Sequence, residues 1–414
     1  MDEGYPPRSG LTPDGDKRRA VLASAAALWV AGCASRSPSG STVPFEDARR
    51  PGTSPSKDAG LEPAGSGSTA VDDGAPRIER ASATWVRARW EDLPGWNEDP
   101  VGQALAALRR GCVRNDAAWV RACRAAEEVD ERDHGAVRAW LTRHLQPWRV
   151  EDGNGRTEGL LTGYYEPHFE ARRLRDREFR APLHAPPADL AQRRPYWTRQ
   201  QLETLREAQT ALQGRAIAHL QDPVDVLVLQ IQGSGRLTVT EPDGQRRTVR
   251  LAFAGHNDHP YQSVGRWLID KGHLTPAQAS WPGIKDWLQR NPRMVQEVLW
   301  VNPRVVFFRE EALPDPSVGP RGAMGVPLTP ERSIAVDPRS IPYGSAVWME
   351  SSDPLRSAPL RRLVFAQDTG SAITGAVRAD YFWGWGERAE QQAGRTRQRL
   401  RLWVLWPKGS RPPA

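Results

Sequence analysis

Apolar residues recur at helical spacing early in the chain. Val101, Leu105, Leu108 and Val113, followed by Trp119, Cys123 and Ala126, predict helices over about 85–145. Residues 159–169 read as a strand running into a turn. The stretch 184–197 is rich in Pro and Arg and reads as a loop or crossover. Val224 to Ile231 is a mostly apolar strand candidate, followed by Gln232-Gly233-Ser234-Gly235. Another strand follows Gly235, and Asp243-Gly244 marks a hairpin turn. Helical spacing returns over 260–300, with Val264, Trp267 and Leu268 on one face. From Asn302 onward short strands dominate, at 305–308, 333–336, 346–349, 363–366 and 400–405, separated by Gly and Pro. Many short strands with few long helices predict a small β-barrel or sandwich. The fold class expected is mainly β with a helical lead-in and a mixed middle.

The N-terminal segment carries a different pattern. Lys17, Arg18 and Arg19 precede a short apolar run from Ala20 to Ala31, too short for a permanent membrane span. The run ends in Val30-Ala31-Gly32-Cys33. Basic residues, apolar run and small residues before Cys predict a lipoprotein signal over 1–32, with lipid on Cys33. Ala34 rather than Asp follows, which favours the outer membrane, facing the periplasm. Residues 33–80 are rich in Ser, Gly, Pro, Asp and Ala and read as a flexible tether. The remainder, 81–414, is long enough for two domains.

Charge and cysteine usage change this picture little. The chain carries +7, but export argues against nucleic acid as the partner, and charge alone does not decide between peptides that carry carboxylates and a solvated basic surface. Cys112 and Cys123 lie about three helical turns apart, roughly 16 Å on one straight helix. A turn at Arg114-Asn115-Asp116 would let them pair; otherwise they are two buried thiols. Seventeen Trp residues suit either a core or a glycan groove. Trp267 and Trp403 are expected in the core, with Trp383 and Trp385 open.

The candidate chemistry is carboxylate chemistry. A strand delivers Asp368 into the small-residue turn Thr369-Gly370-Ser371-Ala372, where a polymer can approach the backbone. Asp380 follows in what reads as a Gly- and aromatic-rich loop. Asp337, before Pro338, reads as a turn residue bonding its own backbone. His256 and His259 lack a third ligand at a recognisable offset, so no metal is expected.

Three aspartates in this setting resemble the 3D domain, which is similar to double-psi β-barrels. Upstream, Gly163-Tyr164-Tyr165-Glu166-Pro167, Gln232-Gly233-Ser234-Gly235 and Asn302-Pro303-Arg304-Val305-Val306-Phe307-Phe308 complete a resemblance to the membrane-bound lytic murein transglycosylase A family, over about 85–407. The resemblance implies a double-psi barrel of 81–180 plus 297–414, interrupted by a smaller, mostly β domain at 181–296, with peptidoglycan glycan strands in the groove between them. It implies Asp380 as catalytic acid and base, with Asp368 in support, and no cofactor. Thr162, Tyr164, Gln232, Ser234, Gly370, Ala372 and Trp383 are the expected substrate-binding residues. Cell-wall synthesis or division proteins are candidate partners. The reaction implied is non-hydrolytic cleavage of the β-1,4 bond after N-acetylmuramic acid, leaving a 1,6-anhydro end. Two alternatives stay open: a hydrolase using Asp368 and Asp380 together, and a non-catalytic peptidoglycan-binding lipoprotein.

Overall fold

The computed structural model describes residues 74–412 apart from Asn115. The signal segment and Cys33 lie outside the described residues, as does most of the tether.

Fifteen strands are found among the described residues. They are β1 (Arg77–Glu79), β2 (Thr84–Arg87), β3 (Leu145–Glu151), β4 (Gly159–Glu166), β5 (His168–Arg172), β6 (Ala181–His184), β7 (Ala216–Leu220), β8 (Gly235–Thr240), β9 (Arg246–His256), β10 (Val306–Ala312), β11 (Ser333–Val336), β12 (Ala346–Ser352), β13 (Pro359–Asp368), β14 (Arg378–Trp385) and β15 (Arg397–Pro407). The helices are α1 (Gly102–Cys112), α2 (Val120–Glu127), α3 (His134–His144), α4 (Arg199–Thr204), α5 (Arg206–Ala211), α6 (Pro223–Gln232), α7 (Val264–Asp270), α8 (Trp281–Arg290), α9 (Val295–Val301) and α10 (Glu387–Arg395).

The larger sheet runs β1-β2-β3-β15-β12-β13-β11-β14-β4. A further pairing of β4 with β15, Arg397 opposite Thr162, joins β15, β12, β13, β11, β14 and β4 into a closed ring. Closure removes the exposed edges that an open sheet would present. The strands carry the burial this requires: all four residues of β11 are buried, and Trp348, Trp403 and Trp406 sit in the same core. Helices α1 to α3 cover one side of it, with Trp119 set edge-on to Trp406 at 5.9 Å. Cys112 at the end of α1 and Cys123 in α2 are joined by a disulfide, so of the two readings of this pair the bonded one holds.

The smaller sheet runs β10-β9-β8-β5-β7-β6. The chain leaves the barrel between β4 and β5 with Pro167 alone separating the two strands, since Pro cannot donate to a ladder. It returns between Ala312 and Ser333. Both crossings lie outside the 181 and 296 boundaries expected from the sequence. Val306–Phe308 thus belongs to the second sheet and not to the barrel.

Two further expectations need correction. Residues 77–79, read as tether, form the edge strand β1. Val224–Ile231, read as a strand, forms helix α6. This helix is apolar on both sides: Val226 and Leu229 pack on the second sheet, Val224 and Leu227 on the cluster formed by α7, α8 and α9. A helix buried all round loses its amphipathic period and looks like a buried strand. Its end signals are clear nonetheless. The Asp222 side chain accepts from Val224 N, Pro223 occupies the first turn, and Gly233 closes the helix at φ +78°.

Candidate active site

Four adjacent strands build the site in one transverse row. Ala335 on β11 lies opposite Asp368 on β13 and opposite Asp380 on β14; Asp380 in turn lies opposite Thr162 on β4. Residues directly opposite one another across a sheet share a face. The row therefore presents two carboxylates, with the small Ala335 as the floor between them. Their Cα atoms are two strand spacings apart, about 10 Å. A bulge makes this possible: the β11–β13 register slips after Ile334, so Asp368 rather than Gln367 meets Ala335. Gln367 turns inward, where its Nε2 donates to Ala107 O at 2.9 Å.

Asp380 lies within strand β14, not in a loop as the sequence suggested. Side chains alternate along a strand. Ala379, Tyr381 and Trp383 point into the barrel core, while Arg378, Asp380 and Phe382 lie on the opposite face. Trp383 is accordingly 5% exposed, and its indole N–H donates to Thr396 Oγ1 at 2.9 Å. No face of that ring is left for a sugar, so its expected substrate-binding role is withdrawn. Trp385, left open above, carries the Arg236 guanidinium over its ring at 4.1 Å.

The two carboxylates are held differently. Asp380 Oδ1 accepts from Thr162 Oγ1 at 2.6 Å, and Thr162 Oγ1 accepts in turn from Arg378 Nη2 at 2.9 Å. The Arg378 bond commits the threonine proton to Asp380. Oδ2 of Asp380 has no hydrogen-bond partner among the described residues. Burial pushes the Asp380 carboxyl up to about 6; the Thr162 bond and Arg378 oppose the rise, and the charge of Asp368 adds to it. Asp368 has both oxygens engaged, Oδ1 with Ala323 N at 2.8 Å and Oδ2 with Tyr164 OH at 3.0 Å. Burial raises its carboxyl too, against those hydrogen bonds. Tyr164 rests against Phe382 at 5.2 Å between ring centres, and burial beside the two aspartates pushes its hydroxyl far up, so it stays a donor.

The other expected residues are spread around this row. Gln232, the last residue of α6, accepts from Tyr165 N at 3.1 Å and ties the helix to β4. Ser234 follows the Gly233 turn. Gly370 and Ala372 lie in the turn after Asp368, where Gly370 O accepts from Ile373 N. Asp337 accepts from Arg339 N and Gly375 N, and Arg339 holds its carboxyl below the usual range: a turn residue, as read. His256 Nδ1 accepts from Asp258 N, and no metal-holding cluster is found among the described residues.

Sequence reasoning missed Arg378 and the buried Glu166. Arg378 sits two residues before Asp380, a signal visible once 378–385 is read as a strand. Glu166 Oε2 accepts from Arg236 Nε at 2.8 Å and Oε1 from Arg250 Nε at 2.6 Å, fastening the end of β4 to the second sheet.

Comparison with known proteins gives consistent matches. The MltA specific insert domain matches residues 160–309 and the 3D domain residues 332–406. The membrane-bound lytic murein transglycosylase A of Vibrio cholerae is 31% identical over 270 residues, covering 63% of this chain and 69% of that protein. A lytic transglycosylase, LtgG, of Burkholderia pseudomallei is 43% identical, with 81% of this chain and 98% of that one covered at a TM-score of 0.57. The structure of E. coli MltA with bound chitohexaose is 25% identical, covering 80% and 94% at a TM-score of 0.61.

Proposed function

Since the chain belongs to the membrane-bound lytic murein transglycosylase A family, a family of non-hydrolytic peptidoglycan lyases, we propose that it cleaves the β-1,4 bond between N-acetylmuramic acid and N-acetylglucosamine with Asp380 as sole acid and base, leaving a 1,6-anhydro end. The observation that carries this reading is the state of Asp380. Its carboxyl is raised to about 6, one oxygen is fixed by Thr162, and the other has no partner among the described residues.

The chemistry follows from that asymmetry. In the protonated acid the proton sits on Oδ2, because Oδ1 already accepts from Thr162. Oδ2 gives the proton to the glycosidic oxygen as the C1–O bond breaks and the muramyl ring gains oxocarbenium character. The ionised carboxylate then takes the proton of the muramyl 6-hydroxyl as that oxygen attacks C1. One C–O bond breaks, one forms, the proton returns to Asp380, and no water is consumed.

Asp368 accepts at both oxygens, which suits an ionised group that fixes Tyr164 and raises Asp380. Membership of a family of non-hydrolytic lyases favours transglycosylation over hydrolysis. Thr162, Tyr164, Gln232, Ser234, Gly370 and Ala372 are proposed to border the glycan, as the related E. coli enzyme binds chitohexaose. Membrane association is proposed to run through lipid on Cys33 at the outer membrane; no helix among the described residues is long and apolar enough to cross a bilayer.

Replacing Asp380 with Asn tests the mechanism. Asn is nearly isosteric but cannot give and recover the proton. Cleavage of purified peptidoglycan should fall by about 10²–10⁴, with glycan pull-down and circular dichroism unchanged. Normal turnover by Asp380→Asn would exclude the mechanism.

A further inference from the structure

A cavity of about 910 Å³ opens in the second domain, between α4, α5, α6, α9 and the strand β6. None of the aspartate row lines it. Its wall is strongly basic: Arg175, Arg180, Arg199 and Arg206 stand against the single carboxylate Glu203. Glu203 is already shared by Gln296 and by Trp300 Nε1. Arg175, Arg180 and Arg206 make no ion pair among the described residues.

Arg199 is the decisive member. It is 5% exposed, yet no carboxylate touches it. Its Nε donates to Asn302 O at 3.0 Å, and its Nη2 to Arg304 O at 2.7 Å and to Gln230 Oε1. All these acceptors are neutral, and Nη1 has no protein acceptor among the described residues. Glu203 acts on Arg199 only from beyond ion-pair distance, and a buried cation with no anion in contact is costly unless a ligand supplies one. Burial lowers the Arg199 guanidinium to about 10, still charged at neutral pH. The neighbouring His184 is pushed down to about 4 by burial, so it adds no charge. The cavity therefore holds an excess of positive charge facing a space large enough for a small peptide.

Its position relates it to the cleavage site. Pro223, Val226 and Gln230 of α6 line the cavity, while Gln232 at the end of α6 is bonded to Tyr165 N beside the aspartate row. The helix is ten residues long and spans about 15 Å. An extended peptide of four residues reaches about 13 Å. We propose that this cavity is a second binding site, one that takes the carboxylates of a peptidoglycan stem peptide. The choice of peptide rests on the peptidoglycan reading above; the anion site itself rests on the arginines alone. Arg199 would donate to the carboxylate through Nη1, its one nitrogen without an acceptor among the described residues, and the exposed Arg206 is free to engage it in the forked geometry that guanidinium groups favour.

The test uses the lipid-free mature protein and a synthetic stem tetrapeptide, with titration calorimetry as the readout. The wild type should bind the tetrapeptide, and bind its carboxamide form at least about tenfold more weakly. The double variant Arg180→Glu/Arg206→Glu should lose binding by at least the same factor while cleaving stem-free glycan at the wild-type rate. Both positions are exposed, so the fold should persist, as circular dichroism will report. A stem still attached to the strand predicts a rise of about tenfold in KM for intact peptidoglycan in that variant. A released muropeptide predicts unchanged KM and loss of product inhibition instead. No binding by the wild type, or equal binding of acid and amide, or equal binding by the double variant, would overturn the proposal. If the arginines govern tetrapeptide binding but no glycan is cleaved, the anion site stands and the cleavage reading fails.

Discussion

Asp380, the proposed acid, is raised toward neutrality because burial and Asp368 raise it more than Thr162 and Arg378 lower it. The sign of the pH dependence follows. The acid must be protonated to act, so kcat/KM should fall as pH rises through about 6. Thr162→Val removes a hydrogen bond that favours the ionised form. Its alkaline limb should therefore move to higher pH, with a lower maximum because Oδ1 is no longer fixed. A limb that stays in place or moves down would show that Thr162 does not tune this carboxyl. At this scale the sequence picked out residues that the structure brings into one row. Asp368 and Asp380 stood out by type and setting, and Thr162 and Tyr164 by their motif. The inward turn of Trp383 was hidden because the segment after Asp380 read as a loop, and a loop has no parity to place a side chain.

The strands determine where those groups sit. β4 must approach β14 and α10 closely, and Gly163 is what permits it. A Cβ there would lie 2.6 Å from Trp383 Nε1 and 2.7 Å from Thr396 Oγ1, two atoms bonded to each other in the core. Gly163→Ala should destabilise the protein by about 1–3 kcal/mol in urea unfolding. It should also lower kcat more than the stability loss explains, because Thr162 and Tyr164 flank it. Wild-type stability and turnover would refute that account of the glycine. Strand elements with turn signals, such as β8 and β9 around Asp243-Gly244, were legible in the sequence. Helix α6 was misread because tertiary burial on both sides erased its period; the Asp222-Pro223 start and Gly233 stop were the surviving evidence. The β11–β13 bulge that brings Asp368 into the row leaves no local pattern to find.

Across the whole molecule, the second sheet is tied to the barrel through Glu166. This carboxylate is fully buried between Arg236 and Arg250, whose other donors reach Pro316 O and Val318 O on the returning segment. That same segment supplies Ala323 N to Asp368. Glu166→Gln would leave two buried cations without a counter-charge, and should cost about 3–5 kcal/mol in thermal unfolding. A variant as stable as the wild type would show that the cluster is not a fastening point. The mainly β class was legible from strand density, whereas the interruption of the barrel by a second domain was an expectation that only the family resemblance supplied. Barrel closure by β4 and β15 was not, since it depends on a pairing between residues far apart in the chain.

In the proposed reaction the nucleophile belongs to the substrate and not to water. Mass spectrometry of products made from purified peptidoglycan in heavy-oxygen water separates the two. Transglycosylation predicts anhydro-muropeptides carrying no label. Labelled reducing ends would contradict it, and would make Asp368 a base that activates water.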